Sequence, residues 1–192
     1  SMTAGVIGPV IAGAAGGLAV AGDFSLIQRI FGLLATLHLA LLAPLSPALT
    51  YHARLGDWEW IRAKFQFCLW RIWPLLFVAG GLAIWAAHPL ILRLWAGRWI
   101  RDYGLSGLFA LGIMLTGLAN TYSVLLNSLG IVRKQAALSL VMLIPLVGLP
   151  IVLGKSMGIH GVALAATACA LPGAVLGLVW VRSVFKQRTV NV

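Results

Sequence analysis

From Tyr103 to Val132 the chain runs for thirty residues without one Asp, Glu, Lys or Arg, and about 20 apolar residues at 1.5 Å rise already cross the hydrocarbon core of a bilayer. Residues 1–22, 30–53, 72–92, 135–154 and 156–181 are also free of charge. Composition points the same way, with 61% hydrophobic and 9% charged residues, where soluble domains carry roughly 25% charged. So few charges cannot coat a surface in water, which leaves almost nothing of this chain for a soluble domain. Membrane spans are predicted near 3–22, 24–50, 66–88, 105–130, 135–154 and 160–182. The first has the weakest signal, because six of its residues are Gly.

Fourteen Lys and Arg against four Asp and Glu give a net charge of +10, which in a soluble protein would suggest nucleic acid. Here the cations lie between apolar spans, where they set orientation and meet anionic lipid head groups, so membrane lipids are expected partners and nucleic acid is not. The linkers after spans two, four and six carry eight cations: Arg54, Arg62, Lys64, Arg133, Lys134, Arg182, Lys186 and Arg188. The alternate side carries four: Arg93, Arg98, Arg101 and Lys155. That bias, with an even number of spans, predicts that both termini are cytoplasmic. The first 22 residues lack the basic stretch of a secretory signal, and Ser1-Met2-Thr3 reads as the start of a piece rather than of a leader.

Tryptophans follow the same layout. Trp58, Trp60, Trp70 and Trp73 bracket the cytoplasmic end of span three, and Trp85, Trp95 and Trp99 its outer end, as in the aromatic belts of membrane proteins. After Gly56, Trp58, Ile61 and Phe65 share one helical face while Glu59 and Arg62 point elsewhere, predicting an interfacial amphipathic helix capped by Asp57. Pro74, Pro145 and Pro172 are expected to kink or locally unwind their spans. Gly161, Ala165, Cys169, Gly173 and Gly177, four residues apart, make a small stripe suited to close helix contact.

Two polar faces are candidates for chemistry. In span two, Arg29 shares a face with Ser25, Gly32 and Thr36, and an intramembrane arginine is costly enough to suggest function. This stripe suits a water-filled cavity, or else Arg29, about five residues into its helix, snorkels to the nearer head groups. In span four, Gly112, Thr116, Asn120, Ser123, Asn127 and Gly130 project from one face and either line a polar path or bond a neighbouring helix. His38, nine residues from Arg29, lies about 180° around the helix from it. His52, His88 and His160 fall at span ends, and no pair has metal-ligand spacing, so no metal and no other cofactor is expected. Cys68 and Cys169 read as structural thiols within apolar segments.

Nothing in the sequence supports catalysis. Asp23, Asp57, Glu59 and Asp102 are the only carboxylates, all at predicted span ends or in linkers, and Asp23 reads as the N-cap of span two. The stretch Gly148–Ser156 echoes a P-loop but has five residues between its glycines instead of four, and a proline among them. The chain is therefore not expected to be an enzyme.

Several stretches carry a resemblance. Phe24-Ser25-Leu26-Ile27-Gln28-Arg29-Ile30-Phe31, Ala43-Pro44-Leu45-Ser46-Pro47-Ala48-Leu49, Gly56-Asp57-Trp58-Glu59-Trp60-Ile61-Arg62, Asn127 to Gln135 and Gly158 to Ala165 occur here in this order. In order and spacing they resemble the C-terminal half of bacterial O-antigen or capsule repeat-unit flippases, of the multidrug/oligosaccharidyl-lipid/polysaccharide exporter superfamily. The resemblance implies an all-α polytopic membrane bundle over residues 1–192, six transmembrane helices forming the second lobe of a two-lobe flippase in the cytoplasmic (inner) membrane. It implies translocation of an undecaprenyl-pyrophosphate-linked oligosaccharide for lipopolysaccharide or capsule synthesis, with the N-terminal six-helix lobe or another second lobe as partner. In the related lipid II flippase an arginine early in the eighth helix lines the cavity, and Arg29 matches that position. Expected cavity residues are Arg29, Ser25, Thr36, Asn120, Ser123 and Asn127. The alternatives are a multidrug/cation antiporter lobe of the same superfamily, which would need an intramembrane carboxylate, and a non-transporting membrane assembly subunit.

Overall fold

A computed structural model describes the backbone of residues 8–14 and 17–189, with side chains through Gln187. The described residues are almost entirely helical, without a strand. The elements are α1 (residues 8–14), α2 (Leu18–Leu42), α3 (Leu45–Leu55), α4 (Trp58–Phe67), two π-helical stretches (Cys68–Ile72 and Pro74–Ala79), α5 (Gly80–Ala96), α6 (Tyr103–Ser128) and α7 (Val132–Thr189).

Among the described residues four runs, rather than the expected six, are long and apolar enough to cross a membrane: Leu18–Leu55, Trp58–Ala96, Tyr103–Ser128 and Val132–Gln187. The first expected span, 3–22, falls partly outside the described residues, and Gly17 interrupts it with a φ of 84° that only glycine adopts easily. Residues 18–22 therefore belong to α2. Beyond Gly17 the chain doubles back, so that a Cβ on Gly13 would lie 3.2 Å from that of Ala21.

The fifth and sixth expected spans, 135–154 and 160–182, fall in the continuous stretch Val132–Thr189, which is two helices meeting without an intervening loop. Its break is at Gly158 (φ 60°, ψ −141°), while Pro145, Pro150 and Pro172 remain within helix. A Cβ on Gly161 would fall on the Leu153 carbonyl, and one on Gly154 would lie 3.1 Å from Val162. Residues eight apart in a straight helix are separated by about 12 Å. The run is thus a hairpin with arms 132–157 and 159–189.

Two further expectations change with these boundaries. Asp23 does not cap α2, whose N-cap is Gly17; it pairs with Arg98 at 2.9 Å. Arg29 lies eleven residues beyond Leu18, not about five into its helix. The amphipathic α4 forms as its pattern dictates: Asp57 accepts from the Trp60 N–H at 3.1 Å, and Ile61 and Phe65 are buried. A missing N–H at Pro74 leaves that stretch without one ladder bond, and the π-helical turns occur around it.

α6 is the centre of the bundle and packs against α2, α3, α5 and α7. One apolar core forms at its start, where Phe24, Ile27 and Phe31 of α2 meet Leu92, Leu105 and Val162. A second forms at its end, where Leu49, Ile61 and Phe65 meet Tyr122, Leu125 and Val181. The small stripe of α7 lies on α6, with Gly173 against Ala119 and Gly177 against the Tyr122 ring.

The charges sort to opposite ends of this frame. The Asp23–Arg98 pair and the His160–Asp102 pair at 3.1 Å join the start of α2, the loop after α5, the start of α6 and the tip of the α7 hairpin. Arg54, Ser128, Ile131 and Gln187 surround one cavity at the other end. Arg98 of one basic set and Arg54 of the other therefore lie at opposite ends of the bundle.

Candidate functional site

Between α2, α6 and the second arm of α7 lies a cleft of about 440 Å³. From α2 come Gln28, Gly32 and Thr36, from α6 Gly112, Thr116 and Asn120, and from α7 Ala163, Thr167 and Ala170. Its walls are mostly apolar and include Phe31 and Phe109, whose rings stack with centroids 6.5 Å apart. The helices come close at its base, where a Cβ on Gly112 would lie 2.9 Å from the Thr167 hydroxyl.

The polar groups of the cleft divide into two kinds. The hydroxyls are tied to backbone: Thr36 donates to the Gly32 carbonyl at 3.1 Å, Thr116 to that of Gly112 at 2.8 Å, and Thr167 to Leu108 at 3.0 Å or Ala163 at 2.9 Å. The side-chain amides of Gln28 and Asn120 have no hydrogen-bond partner among the described residues. Two amides with four donors and paired acceptors thus face a cleft with little else that is polar.

Of the six residues expected to line a cavity, Thr36 and Asn120 meet in this cleft. Arg29 is exposed on α2 next to Gln28, outside the lining, and has no carboxylate partner among the described residues. Ser25 is half-buried nearer the Asp23 end. Ser123 lies on a second cleft of about 290 Å³ between α6 and both α7 arms, together with Gln135 and Ser139. Asn127 is exposed at the end of α6. The single polar face of the α6 sequence is thus divided by height among three surroundings.

Gln28 is the lining residue the sequence reading passed over. Its spacing of four from Gly32 and eight from Thr36 places it on their face, but the charge of its neighbour drew attention first. His38 also has an unexpected setting. It is fully buried, its Nε2 lies 3.2 Å from the Thr121 hydroxyl, and its ring meets Phe77 edge-on at 4.9 Å. Thr121 donates its one proton to the Gly117 carbonyl at 2.9 Å, so the hydrogen of neutral His38 sits on Nε2 and donates to the threonine oxygen. Its Nδ1 has no partner among the described residues. No group of three His, Cys, Asp or Glu that could hold a metal occurs among the described residues.

Comparison with family models, curated proteins and solved structures finds no match to this chain.

Proposed function

We propose that the chain is one lobe of a flippase that carries a lipid-linked oligosaccharide across a bacterial cytoplasmic membrane by alternating access. The observation that carries this reading is the pair of unpartnered amides, Gln28 and Asn120, in an otherwise apolar cleft between long apolar helices. A saccharide on a polyprenyl carrier has both matching surfaces, hydroxyls for the amides and hydrocarbon for the aromatic and aliphatic walls. A second lobe would close the open side of the cleft.

Arg29, exposed beside Gln28, is the cation available to the substrate's pyrophosphate through charge-assisted hydrogen bonds. A cation antiporter is less well supported. It needs a carboxylate in its cavity, and Asp23, the carboxylate carried by α2, is paired with Arg98. The end with more cations, holding Arg54, Arg133 and Arg182, is assigned to the cytoplasm.

In the complete two-lobe protein, Arg29→Ala is expected to abolish or severely reduce glycolipid export, Arg29→Lys to restore part of it, and Arg29→Gln to fail like alanine, because only the guanidinium grips two phosphate oxygens at once. Membrane-inserted protein is quantified alongside export. Normal export by a well-inserted Arg29→Ala variant would remove the phosphate role, and normal export by Asn120→Leu would remove the cleft. Orientation is read separately from cysteines at positions 101 and 133. The first is expected to react in intact cells and the second only after the inner membrane is permeabilised; labelling of 133 from outside reverses the topology.

A further inference from the structure

The end of the bundle where α5 meets α6 carries two carboxylates, and both are engaged. Asp23 pairs with Arg98 at 2.9 Å. Asp102 accepts from the Leu105 N–H at 2.8 Å and faces His160 at 3.1 Å. Arg93 and Arg101 are treated differently, since both guanidinium groups sit on the single indole of Trp99, with their central carbons 5.0 and 4.7 Å from the ring centroid. Neither has a carboxylate partner among the described residues. At the other end, Arg62 over Phe185 and Lys64 over Trp60 each use a ring of their own.

Two like charges gathered on one ring repel each other, although the ring face attracts each of them. The concentrated charge calls for an anion from outside the chain. Trp99 is 46% exposed, so the group is open to one. α5, which carries Arg93, is tied to the start of α6 next to Arg101: Trp85 donates its indole N–H to the Tyr103 carbonyl at 3.0 Å, and the buried His88 meets the Tyr103 ring edge-on at 4.9 Å. Indole rings favour the level of lipid head groups, and a guanidinium fork matches the oxygens of a phosphodiester.

We propose that Arg93, Trp99 and Arg101 form a discrete binding site for the phosphodiester headgroup of an anionic phospholipid. The site is separate from the cleft between α2 and α6 and does not depend on the transport reading.

The test is titration of the purified full chain in detergent with phosphatidylglycerol and with phosphatidylcholine, followed by native mass spectrometry. Each Arg→Gln change at 93 or 101 is expected to weaken phosphatidylglycerol binding about five-fold; phosphatidylcholine, whose own ammonium offsets its phosphodiester charge, is expected to bind weakly to wild type and variants alike, and Arg54→Gln to have no effect on this site. A folded Arg93→Gln/Arg101→Gln variant that binds phosphatidylglycerol like the wild type overturns the proposal, as does an equal loss in Arg54→Gln. Should the Gln pair not fold, Arg93→Lys/Arg101→Lys keeps the charge and is expected to bind more weakly than wild type; equal binding rejects the guanidinium assignment. Displacement of the lipid from the wild type by millimolar inorganic phosphate would make this a simple anion site and overturn the phospholipid claim.

Discussion

α6 and the first arm of α7 are both long and uncharged across their middles, yet the bundle uses them in opposite ways. α6 buries Gly117, Thr121, Tyr122 and Leu125. The first arm of α7 leaves Leu140 68%, Ile144 81% and Val152 64% exposed. Apolar length qualifies either helix to cross a bilayer, but spaced small and polar positions make one of them the hub. Gly117 admits the Phe77 ring, and Thr121 meets His38. Along its outward face the α7 arm offers bulky aliphatic side chains instead, which suit hydrocarbon as a solvent.

Substitutions can break that contrast in order of expected size. Gly117→Leu should be the most damaging, because even a Cβ at this position would fall on the Phe77 ring. About 3 kcal/mol of destabilisation is expected, read as lost folded yield and a lower melting temperature in detergent. Thr121→Val should cost about 2 kcal/mol in the same assay, since it removes the acceptor of the buried His38 N–H and gives it no replacement. Ile144→Ala on the exposed arm should change stability by less than about 0.5 kcal/mol. A larger loss there would mean that the arm packs against protein in the membrane and would erase the contrast with α6.

Much of this arrangement was legible in the sequence. Uncharged length marked the apolar helices, the spacing of Trp58, Ile61 and Phe65 with Asp57 before them marked α4, and the four-residue stripe marked the α7 surface that lies on α6. One hairpin turn was legible, since spans five and six were expected to end at 154 and begin at 160 and the break falls between them at Gly158. The turn at Gly17 was not: it is one glycine among 22 and lies inside the expected span 3–22, and tertiary packing selects which glycines leave the helix. The prolines were expected to kink or locally unwind their spans: π-helical turns do surround Pro74, whereas Pro145 and Pro172 remain within helix in α7.

The candidate site was half legible for a similar reason. Periodicity put Thr36 and Asn120 on the right faces, whereas Gln28 and Arg29 differ by only about 100° around α2. Which of the two turns toward α6 depends on how the helices cross. His38 was correctly set apart from Arg29, but its pairing with Thr121 joins residues 83 positions apart in the chain and leaves no local pattern.

The central claim is that the cleft of Gln28, Thr36 and Asn120 receives the substrate while the outward face of the first α7 arm, at Ile144, meets lipid. It is tested most directly by placing a photo-reactive amino acid at position 36, 120 or 144 of the complete two-lobe protein, in cells synthesising a radiolabelled lipid-linked oligosaccharide. Crosslinked glycolipid at 36 and 120, with none above background at 144, is the predicted result. Equal labelling at all three positions, or labelling at 144 alone, would contradict it.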